Sequence, residues 1–442
     1  MANSSADIGM HAARSRPGSW APTWVIAFVA LWPAPGIAEA VLVLGALFTV
    51  VRLVQLHVAG GIRPLLSIPA WALTGVLFLA YWLPQAASAF DAVEPARTWG
   101  KVAGALRYLP FMWLVAIAVG TAERRRTTFS GLALVAALWT LDALAQAVAG
   151  TSPLFWSMDQ VKQALSGHGL CSAEEVAAAD RLSGVFGPCN LKFGQVLASL
   201  SPFLLFFAGV RWGRWAWLLC TVLVGVVLVL AGSRASWITY ALIVAFSGWR
   251  LLGGKWMALL LLAGVLGTLA LGMTSSQVRE RFSRTTLALS GDAEGVNEAL
   301  SGRSQIWAAA LCMVREHPVN GVGVRDFRNA YPACDQGSQQ TAVWGDSPAL
   351  HAHQVVLEIL AETGVLGLLL WVAGVAMAVR AWIYAGPVAR ARARPAALAL
   401  AATVFPLNTH LAFYSTFWGG VTVLLAALYA GALLADDAGD RQ

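Results

Sequence analysis

Apolar residues in this chain do not alternate with polar ones; they run on. Stretches near 22–33, 36–56, 67–84, 103–121, 127–149, 190–209, 214–231, 235–251, 256–273, 364–384, 395–414 and 416–434 are dominated by Ala, Leu, Val, Phe and Trp. A helix rises about 1.5 Å per residue, so roughly 20 apolar residues cross the ~30 Å hydrocarbon layer of a bilayer. The pattern predicts an all-α, polytopic membrane protein with about twelve transmembrane helices. A transmembrane β-barrel would show short segments of strict alternation instead. The first stretch is short and is followed by Pro33 and Pro35, so the first two spans read as a broken pair.

Two polar interruptions stand out, near 150–189 and over 274–363. They divide the chain into nine spans within 1–273, a large loop over 274–363, and three spans with a tail over 364–442. The large loop has structure of its own. Ser301 to Glu316 carries apolar residues at helical spacing and is closed by His317-Pro318, because proline cannot continue a helix. Asn320-Gly321-Val322-Gly323 reads as a turn. His351 to Thr363 reads as a second short helix leading into the tenth span.

Composition sharpens this picture. The chain is 58% hydrophobic and 12% charged, about half the charge of a soluble globular protein, which leaves too little polar surface for any soluble class. The net charge of +7 would suggest a nucleic-acid partner in a soluble protein. Here the basic residues fall in alternate short loops: Arg14 and Arg16, Arg52 and Arg63, Arg124 to Arg126, Arg211 and Arg214, Arg250 and Lys255, and Arg390, Arg392 and Arg394. That bias places these loops and both termini in the cytoplasm and the two long polar segments outside, and no nucleic acid is implied. No cleavable signal peptide is evident, so the first span is expected to direct insertion. Cys171, Cys189, Cys312 and Cys334 lie in the outer polar segments, where disulfides can form. Their three possible pairings stay open. Cys220 lies in an apolar run.

Candidate chemistry gathers on the outer side. Arg234 sits in Gly232-Ser233-Arg234 between two apolar runs with too few residues for a loop. An ionisable group near membrane depth is costly and so a functional candidate; a snorkelling arginine is the structural alternative. Arg303 begins the amphipathic helix, where a cation beside free backbone N–H groups makes an anion site. Alone, it reads better as a solvated arginine. Arg181 opens the segment to Asn190 and adds a third cation. Several planar guanidiniums at one membrane-level site suit a pyrophosphate. His353, with His351 beside it, offers an imidazole base, or else an interfacial helix cap. If the following residues are helical, His353 heads a stripe of Val356, Leu357, Leu360, Gly364 and Gly367, a glycine-thinned groove for a lipid tail. Glu358 and Glu362 fall on another face. Metal sites are not expected, since His351-Ala352-His353 is a weak ligand set and no paired cysteines stand near it. Neither a phosphate loop nor a Gly-x-Ser-x-Gly elbow is present.

These motifs together resemble the O-antigen ligases, relatives of the O-antigen polymerases and bacterial protein O-oligosaccharyltransferases. The resemblance rests on His353-Gln354 followed by Gly364 and Gly367, on Ser301-Gly302-Arg303 with Trp307, on Pro318, Gly321, Gly323, Phe327 and Tyr331, on Gly232-Ser233-Arg234, on Arg181 to Asn190, and on Asp142 and Gln146. It spans roughly residues 97 to 385. It implies transfer of a finished polysaccharide from undecaprenyl pyrophosphate to a sugar hydroxyl of lipid A–core, at the periplasmic face of the inner membrane. No metal or nucleotide cofactor is implied, and the anomeric centre is inverted. By motif, the essential histidine maps to His353 and the arginines to Arg234, Arg303 and Arg181. Arg97, Lys101 and Arg107 are further cations that suit anionic head groups. A polymerase would use similar machinery. A protein O-oligosaccharyltransferase would carry a larger C-terminal outer domain. A flippase for a polyprenyl-linked sugar would show repeated halves and mid-membrane charges.

Overall fold

A computed structural model describes residues 18–59, 65–177, 181–274, 300, 302–335, 349–406, 408 and 411–437. Arg14, Arg16, Arg63 and Ser301 lie outside these residues. Every regular element among them is a helix. In chain order these are α1 (Ala21–Ala30), α2 (Pro35–Val58), α3 (Ile68–Ser88), α4 (Pro95–Ala105), α5 (Tyr108–Val119), α6 (Ala122–Ala149), α7 (Pro153–Ser166) and α8 (Ala173–Ala177). Then follow α9 (Phe193–Trp212), α10 (Arg214–Leu230), α11 (Arg234–Leu252), α12 (Gly254–Thr274), α13 (Arg303–Glu316), α14 (Phe327–Cys334), α15 (Val355–Tyr384), α16 (Pro387–Thr403) and α17 (Thr416–Leu433).

Among the described residues, eight spans are long and apolar enough to cross a membrane, one of them α4 and α5 taken together; α1, α10 and most of α12 are shorter apolar helices. The chain is a multi-pass membrane protein. Local chemistry sets the starts. Ser67, Thr121, Ser152 and Ser415 each cap a helix by accepting an N–H from its first turn. Proline occupies the first turn of α1, α2, α3, α4, α7 and α16, where its missing N–H costs nothing.

Two expected spans are drawn differently. The fourth, near 103–121, is two helices, α4 and α5. The eleventh, near 395–414, is α16, which begins at Pro387 and contains the three arginines assigned to a loop. The reason is in their side chains. Arg390 donates to the carbonyls of Ile383 and Ala385, the end of α15. Arg392 donates to Ala432, Leu433 and Ala435, the end of α17. Cations that satisfy the last carbonyls of neighbouring helices need no loop to reach water.

The core is built on α17 and α9. α17 is buried from Trp418 to Leu433 and packs on α16, α5 and α3. α9 packs on α6, α10, α16 and α11. The bundle has two unlike ends. At one, Ser67 donates to the Leu434 carbonyl (2.6 Å), Arg124 donates to Leu65, and Arg125 and Arg392 pair with Asp437 (2.6 and 3.1 Å). The other end carries the polar segments, clipped by Cys171–Cys189 and Cys312–Cys334, a pairing that composition left open. The second bond ties α13 to α14. Cys220 is the free thiol.

Candidate active site

Begin with α13. Its first residue is Arg303 and its N-cap is Gly302, in the left-handed conformation (φ 75°) with no side chain to close the first turn. Arg234 holds the same position in α11, and its N-cap, Ser233, makes no side-chain cap either. Each arginine therefore stands at a helix N-terminus, where aligned peptide dipoles favour an anion. Ser233 is used elsewhere: its Oγ accepts from Gln195 Nε2 (2.5 Å), and its carbonyl accepts from Ser236 Oγ (2.7 Å). Those bonds lock the turn that presents Arg234 against α9.

Arg181 arrives by a different route. Leu182 N–H donates to the Leu230 carbonyl at the end of α10 (3.3 Å), three residues before Ser233. Gln146 grips the same strand of chain from α6: its Oε1 accepts from Gly184 N–H (2.7 Å) and its Nε2 donates to Ser183 Oγ (3.4 Å). One turn earlier, the buried Asp142 accepts from Ser152 Oγ (2.6 Å) and Leu154 N–H (2.8 Å). Asp142 and Gln146 thus hold the two ends of the 150–189 segment on α6, and Leu182 brings the segment that carries Arg181 to the end of α10.

Arg303 stands within electrostatic reach of Arg234 and Arg181. Burial, and then the charges of Arg234 and Arg181, lower the Arg303 guanidinium to about 10. Its Nε is buried without a hydrogen-bond partner among the described residues. Like charges within reach of one another disfavour the charged form of each, and an anion between them offsets this.

A hydrogen bond from α13 holds the histidine segment to the helix that carries Arg303. Trp307 lies one turn after Arg303, hence on the same face of α13. Its indole N–H donates to the carbonyl of Ala352 (3.1 Å), the residue between His351 and His353. The two imidazoles touch, with centroids 4.0 Å apart. His353 has positive φ (55°), a conformation that histidine tolerates better than most residues and that strain-bearing sites often hold. Gln354 caps α15 by accepting Leu357 N–H (2.6 Å). The His-Gln pair thus divides its work: glutamine starts the helix, and histidine projects from just before it.

The glycine motif has another use than the one expected. Gly364 is non-helical (φ 65°) inside α15, and a Cβ there would collide with the Val319 carbonyl. The turn after Pro318 inserts into this kink. Val365 and Leu366 N–H donate to Pro318 and Val319 (2.9 and 3.1 Å), and Val322 and Gly323 N–H donate to Ala361 and Glu362 (2.9 and 3.1 Å). Gly367 is filled by the Thr363 side chain. The predicted lipid groove along this stripe is therefore occupied by protein. The glycines admit the 318–323 turn, which anchors α13 to α15.

Glu358 and Glu362, placed on another face by spacing, are fully buried. Glu358 accepts from Tyr414 N–H (3.3 Å), and Glu362 from Arg325 N–H (2.8 Å). Two carboxylates four residues apart in an apolar helix were the available signal for this. Of the other cations, Arg107 pairs with Glu39 (2.6 Å) and stacks on Tyr108. Arg97 donates to Asn329 (3.4 Å).

Residues 218–372 match the family model described as O-antigen ligase, the family that the motifs resemble. The matched stretch contains Arg234, Arg303 and His353; Arg181 precedes it. No curated protein matches the chain.

Proposed function

We propose that this protein is an O-antigen ligase. It transfers a polysaccharide en bloc from undecaprenyl pyrophosphate to a sugar hydroxyl of lipid A–core, on the periplasmic side of the bacterial inner membrane. One observation carries the reading: Arg303, at the start of α13, lies within electrostatic reach of Arg234 and Arg181, and Trp307 hangs the His353 segment from the same helix. The match of residues 218–372 supports the same superfamily.

In this reading the acceptor hydroxyl attacks the anomeric carbon from the face opposite the pyrophosphate. The new C–O bond forms as the sugar–phosphate C–O bond breaks. The hydroxyl proton passes to His353, and the electron pair leaves with the pyrophosphate. Arg181, Arg234 and Arg303 hold the diphosphate and stabilise the charge that grows on its leaving oxygen. The chemistry needs no nucleotide, since the donor carries its own leaving group. Two disulfides at the polar end fit an oxidising compartment, which supports the outward orientation.

The test is transfer in reconstituted membranes. His353→Ala should lower the rate by at least about 100-fold at matched abundance. Arg234→Gln and Arg303→Gln should slow transfer most at limiting donor. Normal transfer by His353→Ala defeats the base assignment, and wild-type rates for both arginine variants at limiting donor defeat the clamp. In cells, loss of the gene should leave core bare while polymer accumulates on the carrier. Single repeats on core would assign a polymerase, and carrier-linked sugar trapped inside a flippase.

A further inference from the structure

α7, the longer helix of the 150–189 segment, has no buried residue. Its apolar side chains are nevertheless ordered. Leu154, Met158, Val161 and Leu165 recur at i, i+4, i+7 and i+11, which puts them on one stripe of the helix. Leu154, Val161 and Leu165 are 41%, 59% and 82% exposed, and Met158 packs against the bundle core. Trp156 is the other exposed large apolar residue of α7. It falls on the opposite side with Gln160 and Gln163, where an indole, apolar in body and polar at its N–H, suits a water boundary.

The rest of the segment makes its contacts elsewhere on α7. Phe155 fills the space beside Gly187, where a Cβ would strike its ring, and Asp159 Oδ1 accepts from Leu170 N–H (2.6 Å). Phe155 and Asp159 stand one turn apart, on a different flank from Leu154 and Val161. The helix is thus held along one flank, and the stripe has no cover among the described residues.

Depth says what covers it. α6 ends at Gly150, in the left-handed region (φ 80°), and the chain folds back on itself. Ser152 Oγ and Leu154 N–H donate to Asp142 (2.6 and 2.8 Å), which lies about 10 Å short of the end of α6. The first turn of α7 therefore stands alongside the span and not above it. From the exposed Arg126, near the start of α6, Asp142 is about 24 Å along the helix, within the ~30 Å of a hydrocarbon layer. Leu134, Leu138 and Leu141 form an exposed stripe of α6 that reaches the same level. An apolar helix face that starts at this depth borders acyl chains rather than water.

We propose that α7 is an interfacial helix and that its partner is the bilayer. It lies in the head-group layer at the end of the bundle that carries the polar segments, with Leu154, Val161 and Leu165 among the acyl chains and Gln160 and Gln163 toward water. The inference stands apart from the transfer chemistry proposed above. On that chemistry it has one consequence: the segment anchored by α7 carries Arg181, so docking the helix holds that guanidinium at the level of a lipid-linked diphosphate.

The test uses the full chain in nanodiscs of phosphatidylcholine. In a Cys220→Ser background a nitroxide is attached at Leu165→Cys or, on the polar side, at Gln163→Cys; both positions are exposed. Its collision rates with oxygen and with a water-soluble nickel chelate are then compared. Oxygen concentrates in acyl chains, so it should win several-fold at 165, and the order should reverse at 163. Unmodified protein gives a second reading. A diazirine dissolved in the acyl phase should label Leu154, Val161 and Leu165 and spare Gln160 and Gln163. Equal, water-like access at 165 and 163 would leave the stripe in solvent and overturn the proposal. Protection of 165 from both reagents would put a protein surface on the stripe, and overturns it too. If a labelled variant does not fold, the diazirine pattern decides, and labelling of Gln160 and Gln163 as dense as that of the stripe defeats the idea. None of these readings involves transfer, so a failed ligase assay would leave an interfacial α7 standing.

Discussion

Arg303 shows how a single residue can combine a cost with a proposed role. Its guanidinium is lowered to about 10 because burial and two neighbouring arginines disfavour its charge. The folded state therefore binds this proton less tightly than the unfolded chain does. Stability is reduced at neutral pH and recovers as pH rises from about 10 toward the ordinary arginine range. A diphosphate removes the penalty. Millimolar pyrophosphate should raise the wild-type melting temperature by roughly 1–3 °C, with the rise shrinking above about pH 10. Arg303→Gln should melt no lower than wild type without ligand and should show no pyrophosphate shift. Differential scanning fluorimetry reads both. A ligand-free Arg303→Gln that melts far below wild type would make the arginine a structural tie. His353 is legible from sequence as a base candidate through its His-Gln context, but its positive φ and its contact with His351 are not, because the intervening Ala352 is held by Trp307 from a distant part of the chain.

At the level of elements, the kink in α15 decides the geometry. Spacing suggested a smooth helix with a glycine-lined stripe. Instead, Gly364 departs from helical φ, and the 318–323 turn hydrogen-bonds across the break. That docking fixes α13 on α15 and so fixes Arg303 relative to His353. Gly364→Ala would put a Cβ into the Val319 carbonyl at a φ that alanine resists. It should cost at least about 2 kcal/mol, seen as a lower melting temperature, and should slow transfer even at saturating donor and acceptor. A variant as stable and active as wild type would mean that the turn is not what sets the site. The motif itself was visible as Gly-x-x-Gly. Its purpose was not, because the partner of Gly364 lies some forty-five residues earlier in a loop.

For the whole molecule, the two ends of the bundle differ in kind. One is closed by arginines on helix carbonyls and on Asp437; the other carries two disulfides and the arginines of the candidate site. If the second end faces the periplasm, Cys171→Ser leaves Cys189, which is exposed, as a thiol open to that side. A membrane-impermeant maleimide should label it in intact spheroplasts. Labelling only after permeabilisation would reverse the orientation. Loss of the Cys171–Cys189 bond, which closes an 18-residue separation, should also lower stability by about 2–4 kcal/mol.

The sequence by itself determined the class and most of the elements. Spans are legible because a bilayer demands unbroken apolar length, and helix starts because caps and prolines act over a few residues. It also singled out the candidate residues, since histidine and arginine in apolar surroundings are rare for an energetic reason. Only the tertiary structure decided which of them come within reach of one another. Arg181 and Arg234 come within electrostatic reach of Arg303 through Gln146, Gln195 and the end of α10. α4 and α14 come together through Asp326. Those bonds join residues far apart in the chain, and a pattern of local preferences holds no record of them.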